Sequence, residues 1–291
     1  MESELTAWLE SEDGQTLPLD GATTLGRSAS ANRHAFSHAK VSTRHALIHT
    51  QEGGEFWLVD RGSTNGTLLN DERLILPTRL HDGDRINLGH GVALVFRQPL
   101  SAEALRSLSI LQQTAQHTYE ERRWLLIADL VGFSAMGKSV TAPDLARTVG
   151  KWLAAAADVL AAHGGRVNKY TGDGFLAFWR DLPSAPAAIA AALAGFRTLA
   201  APMGMSFRIV LHLGTVAIGG APSLGEESLM SDDLSFTFRL EKAAAALEEA
   251  VLLSGAAAAP LRALLSLRET AYHGELKGFP GPHTFYVVES R

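Results

Sequence analysis

Not one of the 291 residues is cysteine. Disulfides, thiolate zinc sites and cysteine nucleophiles are thereby excluded, and a reducing compartment is expected. An excess of basic charge is missing as well. The formal net charge is −5 and the pI about 6.1, so no global basic surface favours nucleic acid or acidic lipid. The start, Met1-Glu2-Ser3-Glu4, lacks the basic and apolar regions of a signal peptide. Long uninterrupted apolar runs are absent too. The alanine-rich stretches near 185–201 and 243–265 are broken by Gly195, Arg197, Glu248, Glu249, Pro260 and Arg262. They read as packed amphipathic helices, not membrane spans. With 46% hydrophobic and 20% charged residues, the chain has room for two domains and is expected in the cytoplasm.

The first third shows no helical period. Apolar runs at Leu5–Leu9, Ala46–Ile48, Phe56–Val59 and Val92–Phe96 are separated by clusters of Gly, Asp, Asn and Ser. Short strands at such intervals predict a β-sandwich over 1–98. Three loop stretches stand out: Leu25-Gly26-Arg27-Ser28, Val41-Ser42-Thr43-Arg44-His45, and the run Asp60 to Asn70 with Gly62-Ser63-Thr64-Asn65-Gly66-Thr67 at its centre. Each alone reads as a turn or a solvated surface. Together they supply an arginine, hydroxyls and an amide, an inventory suited to a phosphorylated side chain. Residues 99–122 form a connector: Pro99 ends the sandwich, and a loose helical stripe runs through Leu105, Leu108, Ile110 and Leu111.

From 123 onward the pattern changes. Trp124–Ala128 is a continuous apolar run, as in a strand buried on both faces, and it ends in Asp129-Leu130-Val131-Gly132-Phe133-Ser134. A carboxylate at a strand end, beside a glycine turn and a helix start, is a plausible metal-phosphate site. A helix is expected over about 142–163. After it, Arg166–Trp179 reads as two strands folded back across Gly172-Asp173-Gly174, with a carboxylate at the tip and Lys169 on the flank. Strand-helix-strand spacing can bring Asp129 and Asp173 together. Two hard carboxylates suit Mg²⁺, which keeps few protein ligands.

Two resemblances rest on these residues. Gly-Arg-Ser, Ser-x-x-His and Gly-Ser-Thr-Asn-Gly-Thr, in that order, resemble the forkhead-associated (FHA) domain, a β-sandwich that binds phosphothreonine peptides. The resemblance implies that Arg27 and Ser42 grip the phosphate, that Thr64 and Asn65 support the peptide, that Gly66 allows the turn, and that His45 supports the loop. The second half resembles the class III nucleotidyl cyclases in five ordered motifs: Asp129–Ser134, Lys169–Asp173, the Arg208–Gly214 strand, the Phe238-Arg239-Leu240-Glu241-Lys242 helix and a late Leu276-Lys277-Gly278 strand. The implied fold is a ferredoxin-like α/β domain over 123–291, working as a head-to-tail homodimer. The implied reaction is ATP to cyclic AMP and pyrophosphate, with two Mg²⁺ (or Mn²⁺).

What that likeness implies for individual residues is specific. Asp129, Asp173 and the Leu130 carbonyl would hold metal. Gly132, Phe133 and Ser134 would cradle the triphosphate, with Lys277 on its terminal phosphates. Arg239 would stabilise charge at the α-phosphate. Lys169 and Ser228 would read the base, and a lysine there looks like the adenylyl subtype. One departure is Ser235, where the family has an asparagine that orients the ribose; the residues before it have become Ser231-Asp232-Asp233-Leu234. Two other readings stay open: a phosphothreonine adaptor with a decayed cyclase domain, and a guanylyl cyclase.

Overall fold

A computed structural model describes residues 7–19, 21–51, 55–98, 119–203, 205–219 and 228–289. They belong to two compact units, each taken separately below. The helical stripe expected in the connector, and Ser101–Gln112 with it, lies outside the described residues.

The first unit is built on a sandwich of short strands. These are β1 (Trp8–Ser11), β2 (Thr16–Pro18), β3 (Thr23–Gly26), β4 (His34–Ala35), β5 (Ala46–Gln51), β6 (Glu55–Asp60), β7 (Thr67–Leu69), β8 (Glu72–Arg73), β9 (Thr78–Arg79), β10 (Arg85–Leu88) and β11 (Val92–Arg97). One sheet runs β2-β1-β11-β10-β7-β8 and the other β4-β3-β5-β6-β9. Alternation along the strands sends Leu9, Leu25, Ile48, Leu58, Ile86, Leu94 and Phe96 inward, all essentially inaccessible. Most of the expected apolar runs are the longer strands of this core. The loops between β3 and β4, β4 and β5, and β6 and β7 carry the polar residues of interest.

The second unit is organised on an eight-stranded sheet. Its strands are β12 (Tyr119–Leu130), β13 (Arg166–Tyr170), β14 (Phe175–Arg180), β15 (Phe207–Gly219), β16 (Ser228–Met230), β17 (Val251–Ser254), β18 (Leu267–Tyr272) and β19 (His283–Val288). The helices that follow β12 in the chain are α1 (Phe133–Ser139), α2 (Ala142–Ala162), α3 (Ala185–Met203), α4 (Asp232–Ala246) and α5 (Gly255–Leu261). The order β13-β14-β12-β15, with β12 antiparallel to both neighbours, is the ferredoxin-like arrangement; β17, β19 and β18 extend it. β12 begins at Tyr119, inside the expected connector, and its Trp124–Ala128 run is buried throughout. The stretch 185–201 forms the helix expected of it, α3. Its buried Ala185, Ile189, Ala192, Leu193 and Phe196 recur at helical spacing.

Two expectations are corrected here. The alanine-rich stretch 243–265 is not one helix: α4 ends at Ala246, β17 follows, and only then α5. Glu248 takes a positive φ of 57° and breaks the helical path, after which Val251, Leu252 and Leu253 make a fully buried parallel strand beside β15. Leu276-Lys277-Gly278 is not a strand either. It is a tight turn between β18 and β19, closed by Phe279 N–H donating to the Leu276 carbonyl at 2.8 Å. Gly278 supplies a φ of 90°, which a strand does not use, and Pro280 follows.

Candidate functional sites

In the sandwich the loops are tied together by a dense hydrogen-bond set. Arg27 N–H donates to the Ser42 carbonyl (2.8 Å), joining the first two loops. Thr64 N–H donates to Ser42 Oγ at 3.0 Å, and the Ser42 and Thr64 hydroxyls lie 3.4 Å apart. Asn65 Nδ2 donates to the Lys40 carbonyl (2.8 Å), and Arg73 Nη1 to the Asn65 carbonyl (3.0 Å). Arg27, Thr64 and Asn65 remain exposed, so the loops are fixed while their outer polar atoms face solvent.

His45 sits beneath this surface, fully buried. Its Nδ1 accepts from Ser42 N–H (3.0 Å), so the proton belongs on Nε2, which donates to the Gly66 carbonyl (3.2 Å). Burial pushes its pKa down and keeps the ring neutral, against the pull of Asp60. Gly66 has a φ of 83°, and a Cβ there would fall 2.0 Å from the Arg73 guanidinium carbon. The loop motif did not reveal Asp60 and Arg73, which organise the site from below. The buried Asp60 carboxylate accepts Ser63 N–H (2.8 Å), Ser63 Oγ–H (2.7 Å) and Thr67 Oγ1–H (2.6 Å). A loop opening on Asp with hydroxyls three and seven residues on was the available signal.

The second unit brings Asp129 and Asp173 together. Asp129 lies near the end of β12, and Asp173 tips the β13–β14 hairpin, closed by Thr171 N–H donating to the Gly174 carbonyl at 2.9 Å. Gly172 provides a φ of 86°. Gly174 is needed for the approach: a Cβ there would lie 2.4 Å from the Ala128 carbonyl oxygen and 2.9 Å from Asp129 Oδ1. The two carboxyls lie close enough that each alters the proton affinity of the other. Burial and then the Asp129 charge push Asp173 up to about 6. Burial also raises Asp129, although Arg208, opposite it on β15, opposes that rise. Arg208 is itself engaged by Glu241 of α4, at 3.7 Å.

A carboxyl pair held at such cost lowers its energy by gaining a cation, and in this respect the residues fit a divalent metal. Among the described residues no group of three or more His, Cys, Asp or Glu is arranged to hold a metal. Magnesium, with its water and phosphate ligands, does not require one.

The remaining sequence-derived residues fall as follows. Leu130 is buried at the end of β12, and Gly132, with a φ of 76°, precedes α1, which begins at Phe133-Ser134. Lys169 Nζ lies 6.0 Å from the centroid of the Phe238 ring, which puts the expected base reader beside the helix that carries Arg239. Arg239 is half-buried, and its Nε has no hydrogen-bond partner among the described residues. Ser235 is exposed, and its hydroxyl turns back to donate to the Ser231 carbonyl at 3.2 Å. Lys277 is exposed on the tight turn, and Ser228 opens β16.

The comparisons with known proteins agree with this division. Residues 23–89 match the FHA domain family. An FHA domain-containing protein of Arabidopsis thaliana is 36% identical over 88 residues, 28% of this chain and 22% of that protein. This chain therefore spans about a fifth of the curated relative it matches. Among solved structures, the adenylyl cyclase CyaB from P. aeruginosa aligns at a TM-score of 0.50 and 22% identity, covering 60% of this chain and 97% of that one. A bacterial light-regulated adenylyl cyclase aligns at 0.51 and 17%, covering 65% and 62%. The chain carries an FHA domain followed by a domain with the fold of the class III nucleotidyl cyclases.

Proposed function

We propose that the protein is a signalling adenylyl cyclase, converting ATP to cyclic AMP and pyrophosphate, whose FHA domain recognises a phosphothreonine-containing protein in the cytoplasm. The observation that carries the catalytic part is the Asp129–Asp173 pair, two carboxyls held within hydrogen-bond reach and raised in pKa. Asp129, Asp173 and the Leu130 carbonyl would hold Mg²⁺ or Mn²⁺, which supplies charge neutralisation on the phosphates and acidifies the ribose 3′-hydroxyl.

The 3′-oxygen attacks the α-phosphorus as the bond to pyrophosphate breaks. Backbone N–H groups at Gly132, Phe133 and Ser134 hold the triphosphate, and Lys277 contacts the terminal phosphates. Arg239, from the second copy in a head-to-tail homodimer, stabilises charge developing at the α-phosphate. The Arg239 Nε, without a hydrogen-bond partner among the described residues, supports that role. Lys169 and Ser228 contact the base; a lysine donor suits N1 of adenine, whereas a guanine reader calls for an acceptor. At the FHA surface, Arg27 and Ser42 take the phosphate while Thr64 and Asn65 hold the peptide backbone.

A second reading, an FHA adaptor with a catalytically silent cyclase-like domain, is favoured by one observation. The Ser235 hydroxyl bonds back into its own helix and does not extend toward a ribose. Purified protein incubated with ATP or GTP and either Mg²⁺ or Mn²⁺ separates the readings. The expected result is cyclic AMP well above an Asp173→Asn control; no cyclic product with either metal leaves the adaptor. For the FHA domain, Arg27→Ala should lower affinity for phosphothreonine peptides about a hundredfold. Unchanged affinity would remove the phosphate-reading role.

A further inference from the structure

The departures just ahead of Ser235 have a structural counterpart in a three-residue chain, with His212 and Ser254 buried and Asp233 partly exposed. His212, on the central strand β15, is 6% exposed. Its Nε2 lies 3.1 Å from Asp233 Oδ1, and its Nδ1 lies 2.8 Å from Ser254 Oγ. The other Asp233 oxygen accepts Thr215 N–H at 2.6 Å. Since a carboxylate only accepts, the Asp233 contact assigns the proton to Nε2; Nδ1 then accepts from the Ser254 hydroxyl. Ser254 Oγ in turn accepts Ala257 N–H (3.2 Å) as the N-cap of α5.

Serine, histidine and aspartate in a row suggest a nucleophilic triad, but Ser254 is only 3% exposed and its oxygen is occupied as a cap. The chain is architectural. It joins β15, the start of α4 and the start of α5. Gly214 makes room for it: a Cβ there would fall 2.5 Å from the Asp233 Cβ, Cγ and Oδ2. That clash gives the glycine two residues after His212 a purpose independent of backbone freedom.

We propose that His212 is a positioning residue, which through Asp233 fixes the first turn of α4 and so the direction in which Arg239 is presented. The inference rests on the cyclase reading for its catalytic consequence only. Asp233, Phe236 and Leu240 face the sheet side of α4. Ser235 and Arg239, at i and i+4, share another face. Arg239 lies six residues, roughly 9 Å, along the axis from Asp233, so a tilt at the first turn is carried to the guanidinium. Ser231 caps the same turn by accepting Leu234 N–H at 2.9 Å. The His212 ring also packs edge-on against Phe236 (5.0 Å), and Phe236 against Phe279 (5.1 Å) in the turn that carries Lys277. One histidine therefore touches the supports of both phosphate-directed cations. Burial lowers its pKa and keeps the ring neutral, the form in which every atom of the chain has a partner.

The test uses the full chain with Asp233→Asn, His212→Ala and His212→Gln. Asparagine at 233 keeps one acceptor oxygen for two donors. Glutamine at 212 keeps a donor near the Nε2 position. The expected result for Asp233→Asn and His212→Ala is hydrogen exchange about tenfold faster over residues 232–240, with residues 175–180 unchanged. In the same two variants kcat falls about 10–100-fold with KM for ATP within about threefold. His212→Gln recovers most of both losses. Exchange and kcat at wild-type levels in Asp233→Asn and His212→Ala would overturn the inference. So would equal losses in His212→Gln and His212→Ala, which would make the ring a packing element. If the wild type makes no cyclic nucleotide, the proposed function fails, while the exchange measurement still decides whether His212 and Asp233 hold α4.

Discussion

The FHA surface and the cyclase-like site solve opposite problems. Under the FHA loops most buried groups are engaged within the chain, although Arg73 Nε has no hydrogen-bond partner among the described residues. Asp60 accepts three donors, His45 bridges Ser42 and Gly66, and Arg73 closes the Asn65 loop from below. The outer atoms are left for a ligand, and the surface is finished within one chain. The second site is unfinished. Two carboxyls are held side by side at a cost that raises both in pKa, and Arg239 has a buried nitrogen with nothing to bond among the described residues. A preorganised surface loses little by waiting for its ligand, because most of its supports are already satisfied. Unpaired charges cost free energy until metal, nucleotide or a second copy arrives.

The sharpest way to break this contrast is to test whether the unfinished site is completed by another copy. Asp173→Asn and Arg239→Ala should each lower kcat by about 10³-fold or more. Mixed in equal amounts and allowed to exchange subunits, they should regain about a quarter of wild-type activity. In a two-fold dimer half the molecules become heterodimers, and each has one of its two sites intact. If the mixture is no more active than its parts, Asp173 and Arg239 act within the same chain, and the head-to-tail arrangement is wrong.

On the finished side, the support should matter although it never meets the ligand. Asp60→Ala leaves Ser63 N–H, Ser63 Oγ–H and Thr67 Oγ1–H without their acceptor in the interior. An unsatisfied buried donor costs about 1–3 kcal/mol, and part of that will be met by loosening the Thr64–Asn65 loop. Affinity for a phosphothreonine peptide should fall about tenfold by calorimetry, a smaller loss than for Arg27→Ala. An Asp60→Ala protein that binds as tightly as wild type would show that the loop geometry comes from the strands alone.

The two regions also differed in how far their sequences could be read. The FHA loops were legible because small hydrogen-bonding residues at fixed spacing advertise a turn and its chemistry in one local stretch. What escaped was Arg73, whose role depends on β8 returning beneath Gly66. In the second unit Asp129 and Asp173 were legible, being a strand-end carboxylate and a Gly-Asp-Gly hairpin. The network of His212, Asp233 and Ser254 was not, since it joins three elements distant in sequence. The 243–265 stretch misled for a related reason. Alanine abundance suggested helix, but burial beside β15 made a strand of Val251–Leu253, so the sheet overrode propensity. The Leu276-Lys277-Gly278 assignment shows a resemblance overreaching: a motif fixed the residues and their order, not the turn that presents them.

The smallest expected effect is the most direct measure of the strain in the unfinished site. Asp173 has a pKa near 6 in the folded protein, above the usual 3.8. The folded state therefore holds that proton more tightly than the unfolded chain does. Above pH 6 the ionised pair weakens the fold, and the penalty fades as pH falls from about 6 toward 4. The amide introduced by Asp173→Asn cannot ionise, so in metal-free protein the variant should melt higher than wild type at pH 8 and equally at pH 4. Asp173 is only half-buried, and solvent screening brings the difference to about 1 kcal/mol, or roughly 2–4 °C in melting temperature. Adding Mn²⁺ at pH 8 should reverse the order, because the ion stabilises only the chain that retains both carboxylates. Identical melting curves for the two proteins at pH 8, without metal, would mean that the pair is relaxed and that the contrast between the two sites does not lie in stored charge.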